Sequence, residues 1–435
     1  MQKNPAEKLV FATIASTWLF YLIGGLYVVG PVIGWLLAGL AGLSLYLGNA
    51  IRADLRPTGS PPPLVLGWIA GMVAMLVPLL IAHAGWDLGM GQTIKSVVGW
   101  AKGWALVALF IFAGATLPIR RSVIVRAMCV VALITVVLTP LFIVAPMAGL
   151  PSMIFVSPLK AIGGPGPEYF SVYLYTIDPA SGSARWQFFA PWSPFAGLIG
   201  VLTVAFALDE RQRFWMLVGV LGGLTMILLS MSRMSLVALP VSIALPRLLP
   251  LASRPFAWFL AAALMGLMTV FGSALFRMIQ QAVDAFRGAR AASSEVRSTL
   301  QRIAYERWST EAVWFGHGTV QPGPHLVEYM PIGSHHTWYG LLFVKGVAGL
   351  LAFAIPLVWQ TAAVVHDCLF HSRGRLPLSI TLVMIMLTFG ENIEIEAYLI
   401  WPSFMVLGVH ARQIARDRLS AAEALSAPQG LTAAS

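Results

Sequence analysis

The sequence predicts an all-α polytopic membrane protein with about twelve transmembrane helices and a large loop outside the membrane. Three observations predict it. Apolar runs of about 20 residues recur along the chain, each long enough to cross a bilayer core of about 30 Å. Of the 435 residues, 58% are hydrophobic and 11% charged, with a mean hydropathy of +0.79, whereas soluble domains carry about twice that charge. Basic residues gather in every second short connection, the pattern that orients membrane helices.

Taken in order, the spans cover 9–29, 31–48, 64–84, 100–118, 122–148, 193–209, 213–231, 234–250, 255–276, 337–362, 376–390 and 394–411. Gly30 with Pro31, and Pro255, mark sharp joints, because proline ends or starts helices. The first apolar run continues past Gly24, Gly25 and Val28 without a clear cleavage site, so it reads as a retained helix and not a signal peptide. Cys129 falls in a span and Cys368 in a connection, which makes a structural disulfide unexpected. No period of 20–50 residues indicates a repeat array. The chain thus divides into residues 1–276, with nine helices and an external loop at 149–192; the large loop 277–336; helices ten to twelve at 337–411; and a tail, 412–435, expected to be disordered.

Orientation follows from the short loops. With Lys3 and Lys8 in the cytoplasm, so are Arg52 and Arg56; Arg120, Arg121 and Arg126; Arg211 and Arg213; Arg247 and Arg254; Arg373 and Arg375. Arg412, Arg416 and Arg418 place the tail there too, as the positive-inside rule requires. The net charge of +10 then reflects topology and contact with anionic membrane lipid. Nucleic acid is not an expected partner.

Two long external loops remain, Leu150 to Trp192 and Arg277 to Ser334. Loops of that length are more often functional than decorative; their aromatics are expected at the membrane interface or buried against each other. Three external arginines break the charge pattern. Arg185 precedes the sixth span, Arg233 lies in a very short turn between two spans, and Arg302 lies on a segment that reads as an amphipathic helix. The apolar stripe of that helix is Val296, Leu300, Ile303, Ala304 and Trp308, with Ser298 and Gln301 spaced as a capping box. Arg302 falls on the other face, beside Ser298 and Glu306. Structural roles exist for each: a surface ion pair of Arg302 with Glu306, worth under about 1 kcal/mol, and snorkelling of Arg185 to lipid phosphate. Arg233 fits a structural role less well, because ionisable groups held between spans usually serve function. Together the three suggest a cationic pocket suited to phosphate or pyrophosphate.

His317, His325, His335 and His336 share the large loop with Glu311 and Glu328. Their spacing matches no zinc signature, so no metal ligands are assigned. The pair His335–His336 stands at the rim of a span, where proton transfer or hydrogen bonding is the natural use.

The order of these features resembles the O-antigen ligase and polymerase superfamily of bacterial envelope glycosyltransferases. Its ligases carry a histidine followed by Asn, Ser or Gln, nine residues, a glycine, two residues, and a small residue or tyrosine. Here His335, His336, nine residues, Gly346, Val347, Ala348 and Gly349 follow that pattern, except that His336 replaces the amide or hydroxyl. The departure leaves the reactive role between the two histidines, with His335 the favoured one. Arg302 to Trp308, Phe315-Gly316-His317-Gly318, Ser232-Arg233 and Arg185 resemble other family segments, so the likeness covers residues 185–360 at motif level.

The resemblance implies a GT-C-like architecture in the bacterial inner membrane, both termini cytoplasmic and the active site periplasmic. It implies a metal-independent, cofactor-free, inverting transfer of a glycan from undecaprenyl pyrophosphate to lipid A-core oligosaccharide. His335, Arg302 and Arg185 would then be catalytic, and Arg233, His336, Tyr305 and Glu306 would bind substrate. A polymerase would use a second lipid-linked repeat as acceptor, and an oligosaccharyltransferase a protein hydroxyl. A secondary transporter is the alternative from another class. It predicts charges near the midplane and broken helices, whereas the spans read as free of such charges, with the ionisable residues outside.

Overall fold

A segment in lipid must satisfy every backbone polar group internally, so apolar runs of this length fold as helices. The computed structural model describes residues 4–178, 182–256, 291–327, 329–334 and 336–426, with a few positions between 257 and 280. The helices are α1 (Pro5–Ala15), α2 (Thr17–Leu22), α3 (Leu26–Leu47), α4 (Pro63–Ala74), α5 (Leu76–Gly85), α6 (Gly89–Lys102), α7 (Trp104–Thr116) and α8 (Arg121–Met147). They continue as α9 (Ser193–Ala207), α10 (Arg213–Leu229), α11 (Arg233–Leu248), α12 (Ala291–Glu311), α13 (Thr337–Phe370), α14 (Arg375–Gly390) and α15 (Ile393–Ser426). Among the described residues, six stretches are long and apolar enough to cross a membrane: Leu26–Ala50, Pro63–Gly85, Gly89–Thr116, Arg121–Met147, Arg233–Ser253 and Thr337–Phe370. The protein is an all-α membrane protein. The expected span 255–276 lies mostly outside the described residues.

The loop between α8 and α9 holds two small antiparallel hairpins. Strand β1 (Met153–Val156) pairs with β2 (Ser171–Tyr173), and β3 (Thr176–Ile177) with β4 (Ala184–Arg185), Thr176 standing opposite Arg185. Aromatics of this loop do bury: Tyr169 and Phe170 pack on Tyr27 of α3, and Phe189 packs edge-on against Trp18.

Helices α7, α9 and the first half of α15 form the core. Every residue of α9 except Pro194 is buried. Small residues let α7 and α15 touch: a Cβ on Gly114 would lie 2.2 Å from the Met405 carbonyl oxygen, and one on Gly408 2.0 Å from that of Ile111. Helices in lipid associate through such close packing because water drives no burial between them. Outward-facing Val32, Leu36, Val137 and Leu217 stay more than half exposed, as lipid-facing side chains do.

Several expectations are corrected. The first joint is at Gly24 and not at Gly30 and Pro31, and α3 runs through Pro31. Gly24 has φ +64°, and a Cβ there would meet the Ser157 Cβ at 2.4 Å, so the close hairpin loop selects glycine. Residues 89–102, expected mostly as a connection, form α6, none of whose residues is buried. Cys368 is not in a connection but buried inside α13. Ser298 does not cap a helix, because α12 begins at Ala291; its hydroxyl donates to the Glu295 carbonyl at 2.9 Å. The apolar stripe itself holds: Leu300 and Ala304 bury against Val327, Ile332 and Phe343, flanked by Val296 and Ile303.

The tail is not disordered over its described part, since α15 continues to Ser426. Arg412 anchors it by donating to the carbonyls of Leu117 and Ile119, and Arg416 donates to the Thr58 carbonyl at 2.7 Å.

Candidate functional site

Helix α13 breaks at Gly346, where φ is +62° and ψ −164°. The break is filled by the chain just before it. The N–H groups of Val347 and Ala348 donate to the carbonyls of Val313 and Trp314 at 3.0 and 3.1 Å, and those of His317 and Gly318 donate to Phe343 and Val344 at 2.8 and 2.9 Å. Non-helical backbone at such a position is tolerated only where protein satisfies it. The contact explains two glycines together: a Cβ on Gly346 would lie 2.3 Å from the Trp314 carbonyl carbon, and one on Gly316 2.4 Å from that of Val344.

A buried strut holds this junction. The His317 ring lies between Phe343 and Trp86, with centroids 4.3 and 5.1 Å away, and its Nε2 is 2.8 Å from Glu311. Arg307 closes the chain of contacts, 2.8 Å from Glu311 and 2.6 Å from the Gln321 Oε1. Arg307 first and His317 second hold the Glu311 carboxyl down to about 2. His317 is therefore built into the scaffold. Among the described residues no three His, Cys, Asp or Glu side chains gather as a metal site; His335 and Glu328 lie outside the described residues.

His336 occupies the N-cap of α13. Its backbone is extended, and its Nδ1 accepts from the N–H of Trp338 at 3.2 Å, with that of Tyr339 at 3.5 Å. An asparagine or serine oxygen performs the same task at helix starts. The ring packs against Tyr339 and Phe389. Burial lowers its pKa from 6.5 to about 4, so the imidazole is neutral with its proton on Nε2.

The start of α13 is tied to the junction between α14 and α15. Thr337 donates through its N–H and its hydroxyl to the Glu391 carbonyl at 3.1 and 2.8 Å, and accepts from the Ile393 N–H at 3.0 Å. The Glu391 side chain is 4% exposed. Arg297 of α12 reaches it at 3.9 Å and donates to the Gly390 carbonyl at 3.2 Å. Burial pushes the Glu391 carboxyl up to about 7, against the pull of Arg297.

One of the expected arginines borders this junction. A Cβ on Gly390 would overlap the Met234 methyl, which sets the first turn of α11, with Arg233 at its start, against Gly390. Just after strand β4, the Trp186 N–H donates to the carbonyl of Leu229, the last residue of α10, at 3.2 Å. Arg185 in that strand lies 3.9 Å from the buried Asp178. Arg302 follows a different course. It lies about 140° round α12 from Arg297, is exposed, and makes no ion pair with Glu306 or any other described residue. Tyr305 is 52% exposed and stacks near Trp308 at 5.3 Å, and Glu306 is exposed too. Arg297 was missed at the sequence level, although its spacing to Leu300 and Ala304, i, i+3 and i+7, already puts it on the inward face.

On its other side the same junction lines a cavity of about 650 Å³ between α6, α13 and α15, whose walls include Tyr27, Trp104, Ser334, Lys345, Asn392 and Glu394. Lys345 and Glu396 are buried within α13 and α15, and Glu394 is half-buried at the start of α15, so the expectation that the spans carry no such charges is corrected. The Asn392 side chain caps α15 by accepting from the Glu394 N–H at 3.1 Å, and acidic residues in a first helical turn are favoured by the helix dipole. Around the junction the indoles of Trp192 and Trp104 face the carboxylates of Glu391 and Glu394, and Tyr169 faces that of Glu396; the Trp338 indole N–H makes no hydrogen bond to a described residue.

Compared with protein-family models, the chain matches none, and a search of curated proteins gives no match.

Proposed function

We propose that this protein is an O-antigen ligase of the bacterial inner membrane. It transfers a glycan from undecaprenyl pyrophosphate to lipid A-core oligosaccharide on the periplasmic face, with inversion and without metal or cofactor. One observation carries the reading: Arg297 reaches Glu391, whose carbonyl holds Thr337 at the histidine-capped start of α13, while Met234, next to Arg233, packs on Gly390. Arginine is permanently charged and offers a planar fork of donors to phosphate oxygens. The departing pyrophosphate gains charge in the transition state, and fixed guanidinium groups stabilise it there. The N-terminus of α11, capped by Ser232, adds its N–H groups and dipole at the same end.

His335 receives the proton of the attacking hydroxyl, and His336 keeps the helix behind it capped. Arg302, Tyr305 and Glu306 stand on the open face of α12, where an acceptor glycan approaches. The test is purified protein in liposomes with lipid-linked glycan and three separate acceptors: lipid A-core, a second lipid-linked glycan, and a serine-containing peptide. Transfer to lipid A-core is expected. Transfer to one of the others alone would reassign the acceptor, and transfer to none would overturn the reading.

A second reading rests on the break at Gly346 beside the buried Lys345 and the half-buried Glu394. Broken helices with buried charges are how secondary transporters bind their cargo. Uptake of a labelled solute driven by an ion gradient, with no glycan transfer, would favour it.

A further inference from the structure

The opposite end of the helices carries a second site, and it does not depend on the function proposed above. Helix α8 runs from Arg121 to Met147, a rise of roughly 40 Å, and a cavity of about 840 Å³ opens at its arginine end. Six arginines and two carboxylates line it. We infer that this cavity binds the phosphodiester headgroup of an anionic phospholipid.

The arginines are arranged before any ligand arrives. Arg121 is held by Asp209 at 3.0 Å, and Arg126 by both oxygens of Glu210 at 2.9 Å. These carboxylates use one edge of each guanidinium and fix the direction of the other. Arg412 spends its terminal nitrogens on the carbonyls of Leu117 and Ile119, and its Nε is buried without a hydrogen-bond partner among the described residues. The neighbouring Gln413 side-chain oxygen is buried and open as well. Arg211 is exposed at the rim and pairs with no described carboxylate. Arg120 is taken by Glu7 and Arg373 by Asp367 and Asp417, so among the described residues Arg211 and Arg412 carry the charge left for a ligand.

The rest of the wall selects a lipid over a free anion. Phe11, Val123, Val125 and Val409 supply an apolar side to the cavity, at the level where membrane helices end. A phospholipid presents its phosphate and glycerol backbone at that level. Two charges of one sign there attract an anionic headgroup by about 1 kcal/mol each, close to fivefold per residue.

The experiment uses the full-length protein in neutral detergent, with retention of added lipid read by native mass spectrometry. Phosphatidylglycerol should bind at least tenfold tighter than phosphatidylcholine of the same acyl chains, and water-soluble glycerol 3-phosphate should compete weakly. Arg211→Glu, at an exposed position that leaves folding intact, should weaken phosphatidylglycerol about tenfold. Gln413→Glu, which aims a carboxylate into the cavity, should do the same by a separate route. Equal binding of the two lipids, or full retention by both variants, overturns the proposal. Competition by glycerol 3-phosphate as strong as the lipid itself overturns the lipid assignment in favour of a soluble phosphate.

Discussion

The His336 ring nitrogen Nδ1 lies 3.2 Å from the backbone N–H of Trp338, so a histidine of the proposed reactive pair is engaged in holding a helix end. His336 thus accepts from the backbone; in the proposed function it is His335 that acts on the substrate.

His336→Asn should keep most glycan transfer, since the amide oxygen caps as the ring nitrogen does. His336→Ala should lower stability by about 1 kcal/mol. Acid should act on the native protein in the same direction. The folded pKa is depressed, so the contribution is complete above 6.5 and lost as the pH falls through about 4. Thermal melting of the three proteins at pH 7.5 and pH 4.5 checks both statements; an alanine variant that melts like the parent at both would refute the cap.

Glu391 has the opposite sign. Its folded pKa is raised to about 7 from 4.5, so its contribution is present below 4.5 and lost as the pH rises through about 7. Glu391→Gln should melt with less dependence on pH across that window. An unchanged pH profile in the glutamine variant would mean that the carboxyl is not buried as described.

Gly346→Ala should destabilise by more than about 2 kcal/mol, because a side chain at φ +62° is strained and its Cβ would overlap Trp314. Gly316→Ala should behave alike, and the double variant should cost less than the sum, since both remove one contact. Yield of monodisperse protein and melting temperature report this.

Arg297→Lys should reduce the turnover of transfer about a hundredfold, as should Arg185→Lys and Arg233→Lys, because an ammonium does not reproduce the guanidinium fork. Arg302→Lys should instead raise the concentration of acceptor needed for half-maximal rate, with turnover held within about tenfold. Steady-state kinetics with varied lipid A-core separates the two. Loss of turnover for Arg302 and not for Arg297 would reverse the assignment.

His335→Ala should abolish transfer while membrane insertion and melting stay as in the parent protein. A chelator should leave the parent's transfer rate unchanged, since arginines carry the charge of the departing pyrophosphate. Transfer stopped by the chelator and restored by a divalent cation would end the metal-free mechanism.

The helices and their class were legible in the sequence because hydropathy acts locally: an apolar run in lipid must satisfy its own backbone, whatever lies beside it. The apolar stripe Val296, Leu300, Ile303 and Ala304 was legible for a like reason, since helical period alone puts those residues on one face. Arg185 and Arg233 stood out as charges where topology predicts none. What the sequence could not give is which arginine of α12 turns inward, because the aromatic and acidic neighbours of Arg302 looked more functional than the plain setting of Arg297. Only packing against Gly390 and Glu391 decides it. The break at Gly346 was equally hidden. A glycine in an apolar helix reads as ordinary small-residue packing, and its left-handed backbone exists because the preceding loop, Val313 to Gly318, supplies the hydrogen bonds that the helix gives up. Glu394 and Glu396 fall inside the span expected at 394–411, which was nevertheless read as free of such charges. Local composition says what can enter a membrane, but the partners that allow charge and broken backbone to stay there come from elsewhere in the chain, and only the tertiary structure brings them together.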